Sequence, residues 1–542
     1  LLSFVPTDTA VCLVIQGLRE KAKTISESPF ADWAAERIET QLLSSAEYAV
    51  IRQVEKMIRD QIGLTVSELR DDILGDAIVL TYQPGPPEQP DAEQGTVILK
   101  ARSPDKLRKL IDRLNQLQQD QGEIKNLKEV DYRGATYIRR VKADGTAEFY
   151  YLRNGLFVFS GQEAAIQQVL DRAADTPKNH DFVSQSLRRL GVENRFVNCW
   201  VNPRKLDHDL KTQIDNATDA GQRAFLTHFA KVWAAIDGLA ISLDIDRDVE
   251  LGLSVTFNPL QLPAELQPLL ASPPTRSAVW QMVPEDALFA IGGRLDLNAL
   301  ITAIASFAPT EEQDAIRGVI DKTVIGPVVG RQNLPAIRDA IGPDWGMWSA
   351  APSAASKSWV PEWTVALRVR ETNDGIARRG ILRVLGFWLQ MIQYDYNQKH
   401  EDQIELRDVE PNGVSVTYLV NEALFPPGFR PSFAVKDGYL VVTSSPELVQ
   451  RFTAPTEREK ITNEVPILRG SGTAIRSYLQ THGQKLGRWL ADVQSKDTEE
   501  VFRDLGKLAD ILELVNRVEL LVRGDEKRFE LALQLQLVKP LK

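Results

Sequence analysis

Sulfur, histidine and excess positive charge are all scarce in this chain. Among 542 residues there are two cysteines, four methionines and five histidines. Two cysteines, Cys12 and Cys199, cannot build a disulfide framework. Cys12 sits in the apolar run Val11–Ile15 and reads as a buried free thiol, with a Cys12–Cys199 bridge or a reactive thiol as alternatives. The histidines are His180, His208, His228, His400 and His482. None falls in the His-x-x-x-His or His-Glu-x-x-His spacing with which a helix face grips zinc. Asp207-His208-Asp209 puts ligand types side by side, but sequence neighbours do not share a helix face, so it reads as a solvated helix start. His400-Glu401-Asp402 reads as an exposed loop. No metal, no cofactor and no catalytic residue are expected.

Acidic residues outnumber basic ones by 74 to 64, a net charge of −10. Nucleic-acid binding draws its affinity from Lys and Arg, so it is disfavoured. No apolar run reaches the ~20 residues of a membrane helix. Gly470-Ser471-Gly472-Thr473 lacks the Lys of a phosphate loop, Gly292-Gly293 starts no dinucleotide pattern, and there is no Gly-x-Ser-x-Gly elbow. The chain opens on Leu1 rather than an initiator Met, and the expectation is a preceding segment that served as a signal peptide or membrane anchor.

What the chain does have is repetition. Val5-Pro6-Thr7-Asp8 returns as Val283-Pro284-Glu285-Asp286, and Leu74-Gly75-Asp76 has a counterpart in Ile341-Gly342-Pro343-Asp344. Asn154-Gly155 before Leu-Phe-Val-Phe-Ser returns as Asp437-Gly438 before Tyr-Leu-Val-Val-Thr. The strand pair around Asp246 matches that around Gly524. The order is kept, as in a tandem duplication. The expected first repeat is 1–258, with a larger unit at about 1–180 and a smaller one at about 181–258. A Pro-rich junction at 259–282 leads to the second repeat, 283–542, divided at about 455.

Local patterns supply the elements. Val11–Ile15, Asp76–Tyr82 and Thr96–Ala101 read as strands, and a helical region is expected over Pro29–Ile62 with Trp33, Ile38 and Leu42 at helical spacing. Ser103-Pro104-Asp105 starts a helix whose Leu107, Leu110, Ile111, Leu114 and Leu117 share a face. Asn154-Gly155 and Asp437-Gly438 sit between β-rich runs and predict tight hairpins. Ser160-Gly161-Gln162-Glu163 has a capping-box pattern. Leu251, Leu253, Val255 and Phe257 alternate with other residues, which predicts that one face of that sheet is covered. The fold class is therefore α+β: two similar halves, each mainly antiparallel sheet built of hairpins, with helices packed on one face.

Five of the ten tryptophans fall between Trp345 and Trp388, and the matching stretch of the first half has none. Trp345, Trp348, Trp359 and Trp363 read either as extra core packing or as an aromatic surface for a sugar or an apolar partner. Pro361 and Glu362 between the last two predict that Trp359 or Trp363 is well exposed.

The Val-Pro-x-Asp starts, the Leu74–Asp76 turn and the turn-strand-helix run Asn154–Leu170 resemble a family of uncharacterised exported bacterial proteins, a domain of unknown function. The resemblance implies an extracytoplasmic location, in the periplasm or cell envelope, and supplies no catalytic residues. The expected function is a non-enzymatic exported protein with a binding or envelope-structural role and a protein or glycan partner. The alternatives are a carboxylate-dependent hydrolase with a cleft between halves, and a carrier of an apolar ligand held between a curved sheet and its helices.

Overall fold

The computed structural model describes residues 1–28, 31, 53, 55–56, 58–86, 88–89, 92–174, 182–270, 272–319, 321–330, 332–353, 358–370, 375–455 and 464–538. Most of the helical region expected over 29–62, including Trp33, Ile38 and Leu42, lies outside these residues. Within them the chain is α+β. The first half supplies strands β1 (Val11–Gln16), β2 (Ala77–Gln83), β3 (Gln94–Lys100), β4 (Ile124–Tyr132), β5 (Ala135–Lys142), β6 (Ala147–Arg153), β7 (Leu156–Ser160), β8 (Val197–Val201), β9 (Ile236–Ile245) and β10 (Val249–Phe257). The second supplies β11 (Phe289–Arg294), β12 (Ile341–Ala350), β13 (Glu362–Val369), β14 (Glu405–Val409), β15 (Val416–Val420), β16 (Ser432–Lys436), β17 (Tyr439–Thr443), β18 (Glu464–Ser471), β19 (Val515–Gly524) and β20 (Arg528–Leu537).

All twenty join one antiparallel sheet. The first ten lie in the order β4-β5-β6-β7-β3-β2-β1-β8-β9-β10. The second ten lie in the order β14-β15-β16-β17-β13-β12-β11-β18-β19-β20, the same path strand for strand. The two series meet where β10 pairs with β20, from Val249↔Leu535 to Thr256↔Arg528.

The hairpin chemistry follows the sequence. Asn154 and Gly155 take φ of 52° and 77°, and Asp437 and Gly438 take 50° and 75°. Each pair closes a two-residue turn, between Arg153↔Leu156 and Lys436↔Tyr439. Two consecutive positive φ angles are what a turn matching the strand twist requires, and Asn, Asp and Gly tolerate them best. Strand β4 is not evident from sequence. It ends the sheet, and exposed Lys125, Lys128 and Glu129 mask its pattern while guarding the edge.

Helices cover both faces, not one as expected. Helix Pro104–Asp120 starts with the Ser103 hydroxyl accepting from the Lys106 amide, and its Leu107 packs with Leu99, Tyr150 and Phe157. We call this the outer face. On the inner face, helices Glu163–Ala174 and Phe182–Leu190 bury Ile166, Val169, Leu187 and Leu190 against Cys12, Val14, Ile98 and Trp200. The capping box at Ser160 does not close as expected. Ser160 accepts from the Gln162 amide, while Glu163 accepts the hydroxyl of the buried Tyr137 instead. In the second half, helix Ile376–Lys399 lies on the outer face through Ile381, Val384, Val369 and Leu440. Trp280, Trp348, Tyr439 and Phe452 form the inner core there.

The seam between halves is ionic on its inner face. Glu250 of β10 accepts two hydrogen bonds from Arg523 of β19, at 2.8 and 2.9 Å, and pairs with Arg195 at 2.6 Å. Glu530 of β20 is 2% exposed and lies 3.3 Å from Arg523 and 3.7 Å from Arg195. Asp244 adds contacts to Arg195 at 3.5 Å and Lys21 at 3.2 Å. Glu464 meets Arg523 at 2.7 Å, and Arg528 reaches Glu530 at 3.8 Å. Four cations thus face four carboxylates, as burial of charge demands. Burial alone would push the Glu250 carboxyl up, but hydrogen bonding from Arg523 and the charges of Arg195 and Arg523 hold it below its ordinary value.

Two outcomes test this architecture. A Cβ at Gly155 would meet the Ala101 carbonyl oxygen at 2.7 Å, whereas at Gly438 the nearest atom is a movable Arg368 nitrogen at 3.4 Å. Both positions carry the left-handed cost of about 1 kcal/mol, so Gly155→Ala should destabilise by clearly more than Gly438→Ala in urea melts. Because the Glu250 carboxyl is depressed in the folded chain, its contribution is present above the unfolded value near ~4.3 and is lost as pH falls through the folded value. Glu250→Gln should therefore cost roughly 3 kcal/mol at neutral pH and flatten the acid limb of stability below that range. An acid limb identical to that of the parent would assign the acid sensitivity to other carboxylates.

Candidate functional site

One face of β10 is covered, but over most of its length it is not the face of Leu251, Leu253 and Val255. Residues paired across strands share a face, and these three fall on the outer one, where Ile241, Leu251 and Leu253 are 50, 48 and 39% exposed. The covered inner side of β10 holds Glu250, Gly252 and Ser254 instead. The end of the series is covered: Val255 and its partner Phe529 pack against Phe257, which is buried with Ala235 and Leu262. The register shift at Thr256/Phe257 places the extra residue, Asp237, on β9. The usual arrangement is inverted at the centre of this sheet: charges are covered and aliphatic side chains are open.

The outer face is continuous. One row of directly paired residues crosses fifteen strands without a polar member. It runs Phe157, Leu99, Ile78, Ile15, Val197, Leu243, Leu251, Leu533, Leu520, Leu468, Ile291, Met347, Val365, Val442 and Phe433. A second row beside it reads Val97, Leu80, Leu13, Cys199, Ile241, Leu253, Leu531, Val522 and Val465. The outer helices pack at the two ends of the first row, over Phe157 and Leu99 on one side and toward β13 and β17 on the other. From β2 to β12 inclusive there are ten strands, about 43 Å of sheet at ~4.8 Å per spacing. Leu80, Tyr82, Ile241, Leu251, Leu253 and Phe289 are all exposed within that span. A patch of this extent exceeds what a soluble monomer shows without a use for it.

The tryptophans do not meet on one surface, which corrects that expectation. Trp348 pairs with Ala290 and Thr364 on the inner face and is 8% exposed, part of the core. Trp345 and Trp363 lie on the outer face of β12 and β13, with Met347 and Val365 between them. Trp359 packs edge-on against Trp489, and its carbonyl accepts the Tyr478 hydroxyl. Trp359 and Trp363 are both half-buried, so the expected well-exposed indole is not at either position. Pro361 and Glu362 do not keep the segment out, because Glu362 is tied to Arg451 at 3.2 Å.

Cys12 and Cys199 sit on adjacent strands but on opposite faces, and both are free. Burial, with a smaller contribution from Cys199, pushes the Cys12 thiol up to about 12. Burial also raises Cys199, yet its side chain lies in the open apolar row.

Two clefts are alternatives to the open face. One, of about 570 Å³, lies on the inner side of β12 and β13 and contains Trp348, Thr364, Phe452 and the Glu362–Arg451 pair. Its one carboxylate is neutralised by its neighbour. The other, of about 840 Å³, joins the halves beside His228 and Ser306. Ser306 gives its proton to the Ala303 carbonyl at 2.6 Å, so at 3.0 Å it must accept from His228 Nε2. Burial lowers the His228 pKa and keeps the ring neutral. The pair is a satisfied core contact, not a base poised on a nucleophile. His208 and His400 stand at helix ends, and Asp207 accepts from the Trp233 indole at 3.0 Å. No three His, Cys, Asp or Glu side chains could hold a metal among the described residues.

Comparison with family models, with curated proteins and with solved structures finds no match. The geometry makes its own prediction. The thiolate is the reactive form of cysteine, and the buried Cys12 is held protonated. Maleimide labelling of the folded chain should modify Cys199 and spare Cys12, with mass spectrometry locating the adduct. Equal labelling of both would mean that the inner core opens.

Proposed function

We propose that this is a non-enzymatic exported protein that binds long hydrocarbon chains on its outer sheet face. The observation that carries the reading is the uninterrupted apolar row, half open over its central strands while charge is buried beneath it. The central strands are paired on both sides, so they offer no edge to which a peptide strand could add. A peptide or glycan laid on the two rows would lose water from its polar groups without gaining partners, at about 1–3 kcal/mol each. Hydrocarbon has no such loss and gains about 25 cal/mol for each Å² covered. The carrier reading is therefore favoured over a glycan platform. The hydrolase reading comes second: Glu362 in one cleft is tied to Arg451, and the cleft between the halves holds Glu265 and Glu311 beside the engaged His228 with no activated nucleophile among the described residues. The extracytoplasmic setting belongs to the proposal on the strength of the family resemblance. The matching strand orders of the halves support an origin by duplication.

The test is displacement of a fluorescent apolar probe by palmitate. The parent chain should show saturable displacement, and palmitate should slow labelling of Cys199. Ile241→Asp and Leu253→Asp place a charge on the open face, where they should weaken binding by at least about tenfold and change stability by less than about 1 kcal/mol. Absence of displacement from the parent, or full binding by both variants, would sink the proposal.

A further inference from the structure

Helix Ile376–Lys399 carries more apolar surface than its packing uses. Ala377, Ile381, Val384, Trp388 and Ile392 follow one another at three- and four-residue steps along one stripe. The first three are buried against the sheet and the helices beside it. Trp388 and Ile392 continue the stripe beyond those contacts, and with Phe387, Met391 and Tyr394 they are 38 to 61% exposed. The corresponding helix of the first half, Pro104–Asp120, has 17 residues against 24 and shows no large exposed apolar side chain among the described residues.

The charge on this helix is equally one-sided. Arg378, Arg379 and Arg383 are exposed, and no Asp or Glu occurs from Ile376 to Tyr394. Glu371 and Asp374 precede the helix in sequence, and the next acidic residue is Asp395, beyond the stripe. Arg379, Arg383, Phe387 and Met391 follow at four-residue steps, so guanidinium groups continue the apolar line toward the helix start. A basic, aromatic-rich segment is thus maintained on a chain of net charge −10.

We infer that this helix face docks on an anionic phospholipid surface. Phe387, Met391 and Ile392 enter the boundary between headgroups and acyl chains. Trp388 and Tyr394 are amphipathic rings suited to that depth, and the arginines meet lipid phosphates. Charge complementarity selects this partner: the exposed Arg378 and Arg383 favour an acidic surface, and the five apolar side chains need one into which they can sink. This inference uses residues other than the two open apolar rows and stands without the acyl-binding proposal.

Vesicle flotation of the full chain tests it. Phosphatidylcholine vesicles with about 30% phosphatidylglycerol should carry the protein, pure phosphatidylcholine much less, and added salt should release it. The triple variant Phe387→Ser, Met391→Ser, Ile392→Ser should lose at least about tenfold in partitioning while keeping the parent circular dichroism and melting temperature. Arg383→Gln should weaken binding to the anionic vesicles alone. Leu253→Asp, which alters the open sheet face, should float like the parent, so failure of one proposal is distinguishable from failure of the other. A parent chain that stays off anionic vesicles, or a triple variant that floats undiminished, overturns the inference. So does a triple variant whose only change is from dimer to monomer in light scattering, because the stripe would then be an interface between copies.

Discussion

The register of β10 against β20 is the constraint on which the rest of the sheet depends. Apolar residues alone cannot set it. Leu251 and Leu253 face Leu533 and Leu531, and a slip of two residues would replace leucine with leucine or a close equivalent. A slip of one would turn every leucine to the other side, so it is excluded by pattern, but a slip of two is not. The charges remove that degeneracy. A two-residue slip, about 6.6 Å along the strand, would carry Glu250 away from Arg523 and leave buried charge unpaired on both halves. The pairing of Glu250 with both Arg195 and Arg523 therefore contributes specificity of register more than net stability.

Placing that network on the inner face determines what the outer face can be. The strands alternate, so charges at Asp244, Glu250, Glu530 and Arg523 leave the intervening positions to Leu243, Leu251, Leu531 and Val522. Helix Phe182–Leu190 and Arg195 cover the charged side. Exposed aliphatic side chains are tolerated singly on any protein surface. Rows that cross nine and fifteen strands are different, because they are continuous and their neighbours offer no polar relief. Hydrocarbon settling on such rows would return the hydrophobic term that folding left unused.

Much of the framework is legible in the residues because it is encoded locally. Asn154-Gly155 and Asp437-Gly438 announce their turns through backbone chemistry, and Ser103-Pro104 announces a helix start. The order of the matched motifs anticipates the matching strand order. The open face was not legible, and the reason is physical. Alternation at Leu251, Leu253 and Val255 records a two-sided strand but not which side another element covers. That depends on Arg195, far from Arg523 in sequence, meeting it across Glu250. The tryptophans misled for a related reason. Their density in one half is real, but Trp345 and Trp348 are three residues apart on a strand and so point to opposite faces. Clustering in sequence is not clustering in space when the period is two.

The two halves share a strand path and differ in what is attached to it. The second half has the longer outer helix, with its exposed stripe and its arginines, where the first half has a shorter helix without large exposed apolar side chains. The side of the sheet on which this helix sits follows from register. Leu440 pairs with Leu367, Leu367 pairs with Trp345, and the helix packs on Leu440 and Val369. Trp345 in turn belongs to the same face as Met347, Ile291 and Leu468, the second-half members of the long apolar row. The helix and the open row therefore lie on one side of the sheet. The ionic seam, whose charges could not enter an apolar phase cheaply, lies on the opposite side, beneath its own helix cover.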